Sequence, residues 1–201
     1  MTQITPITPS STTRSGMANM ISTLRGMTNV GTASYTVNAV SYWTDLQLQD
    51  YLEKWRSDFY DREMQAVTDF ATGGAVNITK YYIGSFNIES GTAVFWIENS
   101  EGTKLTETTD YTVDYALGLV TFNSNTDGKA YYATYRAYDL KRAAADVFRA
   151  KAAHYSDMYS FSVHGQSINK ASLIKQALEM AQYYEQSAGA QALDLDRSDT
   201  C

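Results

Sequence analysis

At 201 residues with a formal net charge of −6, the chain is long enough to bury a sizeable core without disulfide staples, and too acidic to grip nucleic acid through a broad basic face. Its one cysteine, Cys201, excludes an intrachain disulfide and a cysteine-based zinc site, while 16 tyrosines and 3 tryptophans supply apolar surface where aliphatic residues run short. No run approaches the ~20 apolar residues of a membrane helix and no basic region followed by an apolar stretch opens the sequence, so neither membrane insertion nor export is expected.

Residues 1–16 are rich in threonine, serine and proline and cannot repay the entropy of ordering, which predicts a flexible arm. Over 17–27, Met17, Met20, Ile21, Leu24 and Met27 recur at the three-and-four spacing of one helical face. The segment 35–42 reads as irregular. Thr44 with Gln47 three positions on forms a capping box, Asp45 sits in the positively polarised first turn, and Leu48, Tyr51, Leu52 and Trp55 continue that helix on one side. Between 57 and 72, Phe59, Met64, Val67 and Phe70 fit neither period cleanly, and the type of that stretch stays open.

Gly73-Gly74 punctuates the chain, and the composition beyond it shifts to short β-branched and aromatic runs: 76–83, 92–98, 110–115, 119–123 and 129–138. Turn residues at Gly84, Gly91, Glu101-Gly102, 116–118 and Asp127-Gly128 separate them, which predicts an antiparallel meander. From Asp139 the spacing is helical again through Leu140, Ala144, Val147, Lys151, Tyr155 and Met158, with alanines that allow close approach of a neighbouring helix. After a break over 160–169 turning at His164-Gly165, a last helix spans 170–187 with Leu173, Ala177, Leu178, Ala181 and Tyr184 inward. The fold class expected is therefore α+β: a small bundle of three or four helices with an inserted antiparallel β module, sandwich-like or barrel-like. The arm 1–16 precedes a helical domain made of 17–72 and 139–188; 73–138 forms the insertion, and 189–201 an acidic tail.

Residues that commonly carry chemistry are sparse. His154 lies in an alanine-rich helix and His164 in a turn, neither within a metal-binding spacing, so both read as structural or solvated. The glycine pairs lack the spacing of a phosphate cradle, and Asp110 with Asp114 lacks the ligand density of a calcium loop. Asn77-Ile78-Thr79 matches a glycosylation acceptor that the expected absence of export makes idle. No catalytic, cofactor-binding or metal-binding residue is expected. Lys141, Arg142, Arg149 and Lys151 share the long helix with Asp139 and Asp146, which favours a solvated face or contact with an acidic neighbouring subunit. Trp43 and Trp55 are the aromatic candidates for the same subunit contacts.

The order of parts, with a helix opened by Trp43-Thr44-Asp45, a β insertion, the stretch Asp139-Leu140 through Arg149 with Lys151-Ala152-Ala153, then Tyr159-Ser160-Phe161 and a final helix, resembles head-to-tail connector (adaptor) proteins of tailed bacteriophages. The runs 110–115 and 118–122 also look like β modules of phage structural proteins. The resemblance implies a virion protein at the head–tail junction, assembled in the host cytoplasm as a homo-oligomeric ring of about twelve subunits. It would sit beneath the portal protein and present a surface to the next neck or tail completion protein, with DNA passing through unbound. It also implies portal docking through the C-terminal tail, which here carries Leu193, Asp194, Leu195 and Asp196. The β insertion departs from the plain helical form of that family. The alternative is a carbohydrate- or surface-binding β module displaying Tyr131, Tyr132 and Tyr135.

Overall fold

The structure, a computed structural model, describes residues 12–30, 35–37, 40–70, 76–157, 162–163, 166–167 and 170–188. A 3₁₀ turn at Ser15–Met17 leads into α1 (Ala18–Thr28), a hairpin of β1 (Tyr35–Val37) and β2 (Val40–Tyr42), and α2 (Asp45–Glu53). Seven strands follow: β3 (Arg56–Glu63), β4 (Gln65–Phe70), β5 (Val76–Tyr82), β6 (Trp96–Asn99), β7 (Tyr111–Asp114), β8 (Leu119–Phe122) and β9 (Tyr131–Tyr138). The chain closes through α3 (Leu140–Asp157), a short hairpin of β10 (Ser162–Val163) and β11 (Gln166–Ser167), and α4 (Lys170–Ala188). The molecule is thus α+β, helices packed beside an antiparallel β module.

The capping box forms as its residue types require: Gln47 N donates to Thr44 Oγ1 at 3.2 Å and Thr44 N donates to Gln47 Oε1 at 3.0 Å, satisfying amides that α2 leaves orphaned. Met17 of the 3₁₀ turn and Met20, Ile21 and Leu24 of α1 bury the predicted face against Leu48 and Leu52 of α2 and Leu140, Ala143, Ala144 and Val147 of α3. Three consecutive buried alanines, 143–145, bring α3 close to its neighbours with almost no side-chain entropy lost. The α3–α4 hairpin packs Phe148 on Tyr184, stacked at 5.8 Å, above Ala152, Ala177 and Ala181. Tyr184 also donates to Met27 O at 3.0 Å and so ties α4 to the end of α1. Leu178 does not turn inward as its spacing suggested; it is 49% exposed, because the inward stripe of α4 runs through Ile174, Ala177, Ala181 and Tyr184.

The β module is two antiparallel sheets, β3-β9-β6 and β4-β5-β8-β7. They face one another across Tyr81, Tyr111, Val120 and Phe122 on one side and Ile97, Ala133 and Tyr135 on the other. Of the stretch 57–72, undecided from sequence and grouped there with the helical part, the described residues 57–70 fall in strands β3 and β4 and the turn at Met64 between them; β3 pairs with β9 and β4 with β5. Two features hid them. A register shift between Phe59 and Arg62, with Asp61 at φ 48°, breaks the period of β3, and at buried Met64 the chain turns from one sheet into the other. The segment read as irregular is the β1–β2 hairpin. The five strands expected between 76 and 138 are all present, shorter at some ends, but they do not form the expected meander: only β7 and β8 pair as chain neighbours, while β5 pairs with β8 and β6 with β9, because the strands divide between two sheets.

Candidate functional site

Charged and polar groups converge where the helices meet the sheets. Arg14, just ahead of the 3₁₀ turn, donates through Nε to Glu89 Oε1 at 2.6 Å and through Nη2 to the Tyr138 hydroxyl at 2.9 Å, and also pairs with Glu53. Its backbone N–H donates to Gln49 Oε1 at 2.8 Å. Glu89 and Arg136 are only 2% and 3% exposed, and Tyr138 OH donates to Glu89 Oε2 at 2.7 Å. The network extends through Arg136, 3.6 Å from Asp58, to Arg56, which lies 3.1 Å from Asp58 and donates to Glu53 at 3.0 Å. Three arginines thus face three carboxylates, which is what lets the carboxylate of Glu89 lie almost fully out of water.

Burial, reinforced by the charge and hydrogen bond of Glu89, holds the Tyr138 hydroxyl protonated well above the usual tyrosine range. Burial alone would lower the Arg14 pKa, but Glu89 and Glu53 outweigh it and the guanidinium is held charged. Both oxygens of Glu89 already accept from Arg14 or Tyr138. The arrangement positions; it clamps the N-terminal segment, α2, β9 and the 87–90 loop to one another. The sequence reading missed it because its members lie up to 124 positions apart, as Arg14 and Tyr138 do.

Beside the clamp, a cleft of about 330 Å³ opens between the two modules, lined among others by Trp55, Phe59, Phe86, Lys54, Arg142 and Ala188. A second, smaller pocket of about 260 Å³ lies between α1, α3 and α4. There Lys151 Nζ donates to Thr28 O at 2.5 Å, placing a cation on the C-terminal carbonyls of α1, and burial lowers its pKa.

The residues predicted for subunit contacts divide. Trp43 is buried in the chain's own core and offers no face to a neighbour; its carbonyl accepts from Arg25 Nη2 at 2.8 Å, which steadies its left-handed backbone at φ 59°. Lys141 is held by Ser187 O at 3.0 Å, and Lys151 as described. Arg142 lies over the Trp55 ring at 5.1 Å, the Trp55 indole donates to Asp146 at 3.0 Å, and Arg149 pairs with Asp146 and Glu185; these three stay partly exposed. Leu193, Asp194, Leu195, Asp196 and His164 lie outside the described residues.

Among the tyrosines proposed to meet a glycan, Tyr135 is 1% exposed and stacks on Phe59 at 4.9 Å, while Tyr131 packs edge-on against Tyr81 at 5.5 Å, so both serve the β core. Asp110 and Asp114 accept from backbone amides of Thr106, Ala116 and Leu117 and build turns. His154 packs against Tyr42 with ring centroids 4.7 Å apart. Among the described residues no group of His, Cys, Asp and Glu side chains is placed to hold a metal ion, and no helix is long and apolar enough to cross a membrane.

The fold defines an α+β protein whose two modules are locked by a buried ion network. No known family model matches the sequence, and no curated protein matches it either.

Proposed function

We propose that this chain is a structural virion protein, a head-to-tail connector that assembles as a ring beneath the portal and joins the phage head to the neck or tail. The observation that carries the reading is the element order: α1 and α2, a β module, then the α3–α4 hairpin, with the β module clamped to the helices by Arg14, Glu53, Glu89 and Tyr138. A part that works by shape needs its modules held at one angle, and a buried ion network supplies that angle at some cost in stability. Surface for neighbours is available on the outward side of α4, where Leu178 is 49% and Tyr183 61% exposed, and at Arg142 and Arg149. Isolated exposed apolar residues are common, but two on a helix that packs inward through Ala177, Ala181 and Tyr184 suit a lateral subunit contact.

Electron microscopy of the purified chain mixed with purified portal tests this. Rings seated on portal particles are expected, and removal of residues 189–201 should leave the circular dichroism spectrum unchanged while abolishing attachment. A chain that never associates with portal under assembly conditions sinks the reading.

A further inference from the structure

We propose that the cleft between the helices and the sheets is the seat of this chain's own segment 193–196. Three observations point there. Ala188, the last residue of α4, itself lines the cleft. The five residues from there to Leu193 reach at most about 17 Å, which keeps the segment near. The sequence Leu193-Asp194-Leu195-Asp196 alternates apolar and acidic, so in extended form both leucines turn to one side and both aspartates to the other.

The cleft matches that pattern. Trp55, Phe59 and Phe86 give its lining an aromatic part, and Phe86 is 52% exposed among the described residues. Its volume of about 330 Å³ lies at the small end of binding pockets, suited to short aliphatic side chains. Two long cations stand at its border. Lys54 lies over the Tyr51 ring at 4.8 Å and pairs with no carboxylate among the described residues. Arg142 is 48% exposed and only 3.5 Å from Asp139, which leaves guanidinium donors for a further carboxylate. Arg56 contributes nothing here, because Glu53 and Asp58 already compensate it. Two cations therefore meet the two aspartates, while the leucines cover the rings. The inference stands apart from the connector reading; if both hold, the cleft and the portal compete for one segment.

Cys201 is the only cysteine, which makes the test direct. A nitroxide attached there on the full-length, isotope-labelled chain should at least halve the signals of the Trp55 indole and of Ser85. It should spare Gly128, which lies beyond the far end of β9. The double variant Leu193→Asp, Leu195→Asp should restore those signals, and Arg142→Glu should weaken the effect. Equal loss at Gly128, persistence in the double variant, or no response to Arg142→Glu overturns the proposal. So does loss at Trp55 when the nitroxide and the isotope label are on different chains, because the occupant would then be a second copy.

Discussion

Arg14 holds more of the junction than its position ahead of the first helix suggests, because three separate elements supply its partners. Replacing it with methionine keeps the side-chain volume but leaves Glu89 buried beside Tyr138 without its closest cation. Removing one partner of a buried ion pair costs about 3–5 kcal/mol, well above the ~1 kcal/mol of a surface pair. We expect Arg14→Met to lower the unfolding free energy by that amount, read as a fall in the urea midpoint at an unchanged slope, and Arg14→Met with Glu89→Gln to recover most of the loss. A single-variant change below about 1 kcal/mol would show that the pair is not desolvated. Tyr111 carries a separate expectation. Burial first, then the charges of Glu107 and Asp110, push its hydroxyl up to about 12 from the ordinary 10.0. The unfolded chain loses that proton near pH 10 while the folded one keeps it, so stability is full below pH 10 and falls as pH rises from 10 towards 12. The slope is about 1.4 kcal/mol per pH unit for the one group. Tyr111→Phe should remove that share of the decline in urea titrations across this window; an identical profile would mean the hydroxyl reaches water.

Elements were legible in the sequence where one local rule sufficed. Thr44 with Gln47 marks a helix start by its own hydrogen bonds, and the alanine-rich α3 carries an unmixed helical period. The strands 76–138 follow from turn residues that must sit between them. Gly118 is such a case: its φ is +64°, and a Cβ there would lie 1.9 Å from the backbone oxygen of Ser85. Gly118→Ala should therefore lose more than the about 1–3 kcal/mol that the conformation alone costs, read as a fall in melting temperature. A neutral substitution would mean that the Ser85 loop yields. What stayed hidden in the sequence depends on distant partners. Strands β3 and β4 read ambiguously because one is mostly exposed and bulged and the chain changes sheets between them at Met64. Leu178 was misplaced because spacing marks a helical face but not its width. The clamp of Arg14, Glu89 and Tyr138 has no spacing at all, since only the folded chain brings those positions together. The cleft likewise became visible only once Trp55 and Phe86 stood on facing modules.

At the scale of the molecule, the helical core and the β core are distinct clusters, yet Tyr138 belongs to the first while Ala137 and Tyr135 belong to the second. One strand thus serves both, and the clamp crosses the boundary between them. Ile97→Ala, deep in the sheets, should cost about 2–5 kcal/mol. Because the modules are coupled, the helical far-ultraviolet signal and the aromatic near-ultraviolet signal should shift to lower temperature together. Separated transitions would show two independently folding units. The coupling has a mechanical side. Strand β9 passes into α3 with Asp139 alone between them, and the amide of Asp139 donates to Trp55 O at 3.1 Å while its carboxylate accepts from the Lys141 and Arg142 amides. A load applied to the tip of the sheets therefore reaches the helical hairpin through a single hydrogen-bonded residue, with no slack loop to absorb it.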